Sequence, residues 1–166
     1  MRHMILAALA AAALSAPTAG SAEVLAEANG IVIEEGYARA AGASARTGAA
    51  FMAITNTNDS DDRLIEARSD IAERVELHTH QMKDGVAQMR QVEGGIPIPA
   101  GETVLLERGG LHVMFLGLTG EMAEGSAVDM VLVFETAGEI PVTIPVDLMR
   151  GQDGGHGHGH GAASGG

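Results

Sequence analysis

The 166-residue sequence contains no cysteine and no tryptophan, one tyrosine and three phenylalanines. Without cysteine there can be no disulfide, no thiolate metal centre and no thiol nucleophile, and no lipoprotein cysteine to acylate. Stability must come from packing alone, although a thiol-free chain is compatible with an oxidising compartment. Basic residues are scarce: 10 Lys and Arg stand against 22 Asp and Glu, a formal charge of −12. That balance argues against nucleic acid or an anionic membrane as partner. No segment is apolar for long enough to span a bilayer, so no stable membrane insertion is expected. Also absent are Gly-x-Ser-x-Gly and a phosphate-binding loop, and no acidic pair stands out for acid–base work, so an enzyme is not expected.

What is present begins with a leader. Met1-Arg2-His3 is a short basic start, and Met4 to Leu14 is an unbroken apolar run. Ser15 to Ala19 breaks it, and Gly20-Ser21-Ala22 supplies the small residues at which a signal peptidase cuts. Residues 1–22 are therefore expected to be a cleaved signal peptide, with the mature chain exported to the periplasm. Its removal takes Arg2 and no acid, moving the formal charge from −12 to −13.

Residues 23–150 are long enough for one domain with its own core, and their pattern is β. Gly30 to Arg39, Ala49 to Asn56, Leu64 to Ala67, Arg74 to Thr79, Val86 to Val92, Thr103 to Leu106, His112 to Leu118, Ala127 to Phe134 and Ile140 to Val146 read as strands. Ala40 to Gly48 reads as a loop, and Met82-Lys83-Asp84-Gly85 as a hairpin turn. Turn signals recur every eight to twelve residues or so, which predicts an antiparallel sandwich or barrel. Asp70 to Glu76 is the one competing helical patch. From Gly151 onward only small and polar residues remain, and the tail 151–166 is expected to be disordered.

Soft metal ligands stand out against this background. Ten residues separate His78 from Met89, and twenty-two more lead to His112-Val113-Met114. Residues two apart in a strand share a face, so His112 and Met114 stand side by side. Imidazole nitrogen with thioether sulfur suits Cu(I) far better than zinc, calcium or magnesium. Taken singly, Met89 and Met114 read equally well as core fillers, and His112 as a satisfied histidine. His80-Gln81-Met82 is a second His-x-Met; His80 shares a strand face with His78, and His80 and Met82 are either secondary ligands or hairpin surface. In the tail, His156-Gly157-His158-Gly159-His160 alternates imidazole with glycine. It offers Cu(II) the nitrogen ligands that ion favours, or else it is an inert solubilising tail or a cloning remnant.

Taken together, Glu76-Leu-His-Thr-His80, Gly85-Val-Ala-Gln-Met-Arg90 and Gly109-Gly-Leu-His-Val-Met114 resemble the motif of the periplasmic copper chaperone family called PCu(A)C. Gly36-Tyr-Ala-Arg39, Thr55-Asn-Thr-Asn58, Asp62-Arg-Leu64, Ile98-Pro-Ala-Gly101 and Phe134-Glu-Thr-Ala-Gly138 also follow that family's order, so the likeness spans residues 30–147. Ala87 stands where the family often has a further Met. The resemblance implies a cupredoxin-like, Greek-key antiparallel β-sandwich and a Cu(I) site made of His78, Met89, His112 and Met114. His78 rather than His80 fits the ten-residue spacing to Met89. It further implies a copper chaperone delivering copper towards the CuA site of cytochrome c oxidase, either to oxidase subunit II itself or to a Sco-type thiol protein; a monomer is expected. A copper-sequestering resistance protein with no dedicated acceptor is the alternative. A blue-copper electron carrier, the other use of such a fold, needs the cysteine thiolate that is missing here.

Overall fold

A computed structural model describes residues 22–42 and 44–150. The expected leader, apart from Ala22, and the tail with His156, His158 and His160 lie outside the described residues. Along the chain the strands are β1 (Val24–Ala28), β2 (Ile31–Ala40), β3 (Thr47–Asn56), β4 (Asp62–Arg68), β5 (Ala72–Lys83), β6 (Val86–Gln91), β7 (Ile96–Ile98), β8 (Thr103–Leu106), β9 (His112–Leu118), β10 (Ala127–Phe134) and β11 (Gly138–Pro145). No helix occurs among the described residues.

These strands form two sheets. The larger runs β1-β2-β3-β9-β5-β6, with β8 added to β3, and the smaller runs β11-β10-β4-β7. Every ladder between named strands is antiparallel. Strand β3 is shared lengthwise: residues 47–50 pair with 113–116 of β9, and 52–55 with 103–106 of β8.

Period-two alternation explains why the sheets close on each other. On β10, Val128, Met130, Leu132 and Phe134 are buried, and on β11 so are Ile140, Val142 and Ile144. The larger sheet answers with Ile31, Ile33, Ala50, Met52, Ile54, Leu77, Val113 and Phe115, all in one continuous core. Each fully buried Ile, Leu or Phe side chain contributes roughly 1.5–3 kcal/mol relative to exposure.

Strand β2 changes parity midway. Ile31 and Ile33 point inward, as do Gly36, Ala38 and Ala40 further on. The switch is a bulge between Glu34 and Tyr37 where Glu35 adopts a left-handed φ of 51°. It turns Tyr37 and Arg39 to the outer face of the larger sheet.

Two local expectations give way. The patch at 70–76 is not helical: β5 starts at Ala72, whose partner Leu118 extends the ladder with β9 and overrides local propensity. Strand β5 also runs on to Lys83, so the hairpin turn is only Asp84-Gly85, with φ of 53° and 79°. Two left-handed residues in a two-residue loop match the right-handed twist of the strands they join, and glycine takes the second position without strain.

Candidate metal centre

Three adjacent strands, β9, β5 and β6, carry the candidate ligands, and their register decides how the side chains meet. His78 lies directly opposite His112, and Glu76 opposite Met114. His80 lies opposite Met89, and Met82 opposite Ala87. Directly opposed residues share a face, with Cβ atoms about 4.5–5.5 Å apart. Leu77, Val113 and Phe115 fill the core from the other side of the same strands. Hence His78, His80, Met89, His112 and Met114 all lie on the outer face of the larger sheet.

The three imidazoles cluster there. The His112 ring centroid is 5.3 Å from that of His80 and 5.8 Å from that of His78. His112 is only 2% exposed. Phe51 of β3 covers it with ring centroids 6.1 Å apart, and Tyr37 in turn packs on Phe51 at 5.0 Å. Arg150, the last described residue, sits over the Tyr37 ring at 4.8 Å.

Burial disfavours the imidazolium and holds the pKa of His112 below the ordinary 6.5. A hydrogen bond to the Gly110 carbonyl acts in the opposite sense, and the neighbouring His80 and His78 lower the pKa further. Burial therefore favours the neutral form of His112, the form that can bind a metal.

Each histidine has one nitrogen accounted for or left open. His112 Nδ1 lies 3.1 Å from the Gly110 carbonyl oxygen, which can only accept, so Nδ1–H donates and Nε2 keeps its lone pair. His78 Nε2 lies 2.8 Å from Glu76 Oε2. The Nδ1 atoms of His78 and His80 are buried without a hydrogen-bond partner. Such orphaned buried nitrogens are uncommon in folded proteins, and a role as metal ligand is one explanation for them.

An open cleft of about 590 Å³ gives access, lined by His80, Met89, His112 and Met114 together with Phe51, Arg39 and Arg108. His78 stands beside this cleft rather than in its lining. Met89, on the edge strand β6, is 44% exposed. Met82 is 71% exposed towards the hairpin tip and is not brought to the cleft. A depression of equal volume lies on the smaller sheet, lined by Arg68, Asp129 and Glu139 among others. Of its charged groups, Arg68 pairs with Glu139 and Asp129 accepts from Thr143, and its one thioether, Met130, is buried in the core with no imidazole in the lining.

All five donors on this face stand out in the sequence. Glu76, Phe51 and Gly110, which surround them, do not stand out in this way. Glu76 was detectable in principle, because it stands two residues before His78 on a strand. Nothing local marked Phe51, which reaches His112 only through the pairing of β3 with β9.

Known proteins share this fold. The family described as "Putative lipoprotein LpqE-like" matches residues 31–146. The curated "Putative lipoprotein Lxx21020" of Leifsonia xyli is 31% identical over 125 residues, covering 75% of this chain and 74% of that protein. Both names contain the word lipoprotein, whereas this sequence has no cysteine for that acylation. Among solved structures, the copper-bound PCuAC domain from PmoF2 is similar with a TM-score of 0.62 and 28% identity, covering 74% of this chain and 96% of that one. The solution structure of CuI-DR1885 from Deinococcus radiodurans has a TM-score of 0.57 and 30% identity, covering 69% of this chain and 76% of its own. The fold is thus the cupredoxin-like β-sandwich of the PCuAC domains, and by the extent of the match the chain belongs to the LpqE-like family.

Proposed function

We propose that this protein is an exported copper chaperone that carries Cu(I) on the outer face of its larger sheet, bound by His78, Met89, His112 and Met114. One observation carries the reading: two thioethers and three imidazoles gather on β9, β5 and β6 with no thiolate among them. Among the described residues, no three His, Asp or Glu side chains converge into a metal site by themselves. In this reading the thioethers complete the shell, and a mixed imidazole–thioether shell suits a soft, low-charge ion. Two of the similar solved structures are named as copper-bound or Cu(I) forms, in keeping with this choice.

Exposure sets an order for transfer. Met89 is the most exposed of the four ligands, on an edge strand, and His112 the most enclosed. An acceptor displaces the Met89 thioether first and His112 last. Thioether bonds to copper are weak, and an acceptor thiolate is the stronger ligand, so stepwise exchange runs outward. His80, directly opposite Met89, is placed to hold the ion when that bond opens. The copper is cargo; no reaction at it is catalysed.

The destination we propose is the CuA site of cytochrome c oxidase, reached through oxidase subunit II or a Sco-type thiol protein in the periplasm. Deleting the gene and measuring oxidase activity at limiting copper tests this. Activity should fall and be restored by added copper. Normal activity with heightened copper sensitivity would instead indicate the sequestering role.

A further inference from the structure

The mechanism above leaves one half-buried charged group without a task. Glu76 sits on β5 directly opposite Met114, on the face that carries the donors. Its side chain is 17% exposed. One carboxylate oxygen, Oε2, is 2.8 Å from His78 Nε2, and the other, Oε1, is 3.2 Å from Arg74 Nη1. Both oxygens are thus engaged, and the carboxylate is held in place from two sides.

A carboxylate can only accept, so the contact requires a proton on His78 Nε2. In the neutral ring the lone pair then lies on Nδ1, which is buried and has no partner. The opposite tautomer would bury an N–H with no acceptor and turn a lone pair towards the carboxylate, which is doubly unfavourable. His112 is arranged the other way round, since its Nδ1–H donates to the Gly110 carbonyl and Nε2 is left open. The two histidines are therefore presented through different nitrogens.

We infer that Glu76 is a positioning residue for the metal: it holds His78 as the Nε2–H tautomer and leaves Nδ1 as the atom that meets copper. The inference rests on His78 being a ligand, as proposed above. Carboxylates that accept from the far nitrogen of a metal-bound histidine orient the ring and raise its basicity. Arg74 completes the chain by fixing the carboxylate from outside. Glu76 itself does not touch the ion in this account.

The test uses nitrogen-15 NMR of the imidazole region on the full chain without metal, together with Cu(I) competition against a chromophoric chelator. In the wild-type protein His78 should show the Nε2–H tautomer. E76Q, whose amide oxygen can still accept, should keep it. E76L should lose the single tautomer and bind Cu(I) about 10- to 100-fold more weakly, with E76Q falling between. An Nδ1–H tautomer in wild-type His78 would overturn the proposal, and that measurement needs no variant, so misfolding of E76L does not shelter it. Wild-type affinity in E76L would overturn it as well. H78L separates the two levels. If H78L weakens Cu(I) binding and E76L does not, only the positioning role fails. If H78L binds as the wild type does, His78 is not a ligand, and both readings fall.

Discussion

The two faces of β5 and β9 make opposite use of the same backbone. Inward, Leu77, Val113 and Phe115 are apolar and at most 5% exposed. Outward, one residue away in each case, stand His78, His112 and Met114. Strand periodicity separates the core from the candidate metal face, so that neighbouring residues meet different surroundings. The outer face can keep unpartnered nitrogens because the inner face secures the fold. A change on one face should accordingly register in a different measurement from a change on the other.

The largest effect belongs to the inner face. Phe115→Ala removes a fully buried ring and should cost about 3–5 kcal/mol of unfolding free energy, read by denaturant titration. A loss below about 1 kcal/mol would mean the core is not organised as described. On the outer face, Met114→Leu keeps volume and removes sulfur. It should cost less than about 1.5 kcal/mol of stability and weaken Cu(I) binding at least about tenfold, or ~1.4 kcal/mol. Equal affinity would make Met114 a packing residue only.

Acid should produce a smaller, directional effect through His112. Its folded pKa lies below the ordinary 6.5, so the unfolded chain takes up the proton first as pH falls. The stability this contributes is fully present above pH 6.5 and is lost as pH drops from 6.5 towards the depressed folded value. Thermal midpoints of the metal-free protein should therefore fall across that window, and less steeply in His112→Phe. Parallel curves for the two proteins would contradict the assignment. The smallest effect on the domain is expected from deleting residues 151–166. We propose that His156, His158 and His160 bind Cu(II) through nitrogen, so truncation should remove Cu(II) binding near neutral pH. The thermal midpoint and the Cu(I) stoichiometry should stay unchanged. Undiminished Cu(II) binding would leave the tail without a metal role.

Much of this was legible in the sequence because period-two patterning is local. The apolar alternation of β10 and β11, the presence of a hairpin turn ending at Gly85 though not its two-residue length, and the His-x-Met of β9 all declare themselves within a few residues. What was not legible depends on partners far along the chain. Strand β7 is three residues long and includes Pro97, and it exists because it pairs with the outer edge of β4. The patch at 70–76 extends into a strand because β9 lies beside it. The bulge at Glu35 uses a left-handed non-glycine residue, which no propensity would suggest. At the candidate centre the donors were visible, whereas their order of enclosure was not. The ten-residue spacing favours His78, yet register places His80 opposite Met89 and in the cleft lining. Choosing between them from sequence required knowing which residue β6 would bring across.

The central claim is that one Cu(I) on the outer face is held by both nitrogen and thioether sulfur. X-ray absorption at the copper edge of the Cu(I)-loaded full chain tests it most directly. The wild-type spectrum should fit a single Cu(I) with both nitrogen and sulfur scatterers, and replacing Met89 and Met114 together by Leu should remove the sulfur contribution. A shell of nitrogen or oxygen alone in the wild-type protein would contradict the account.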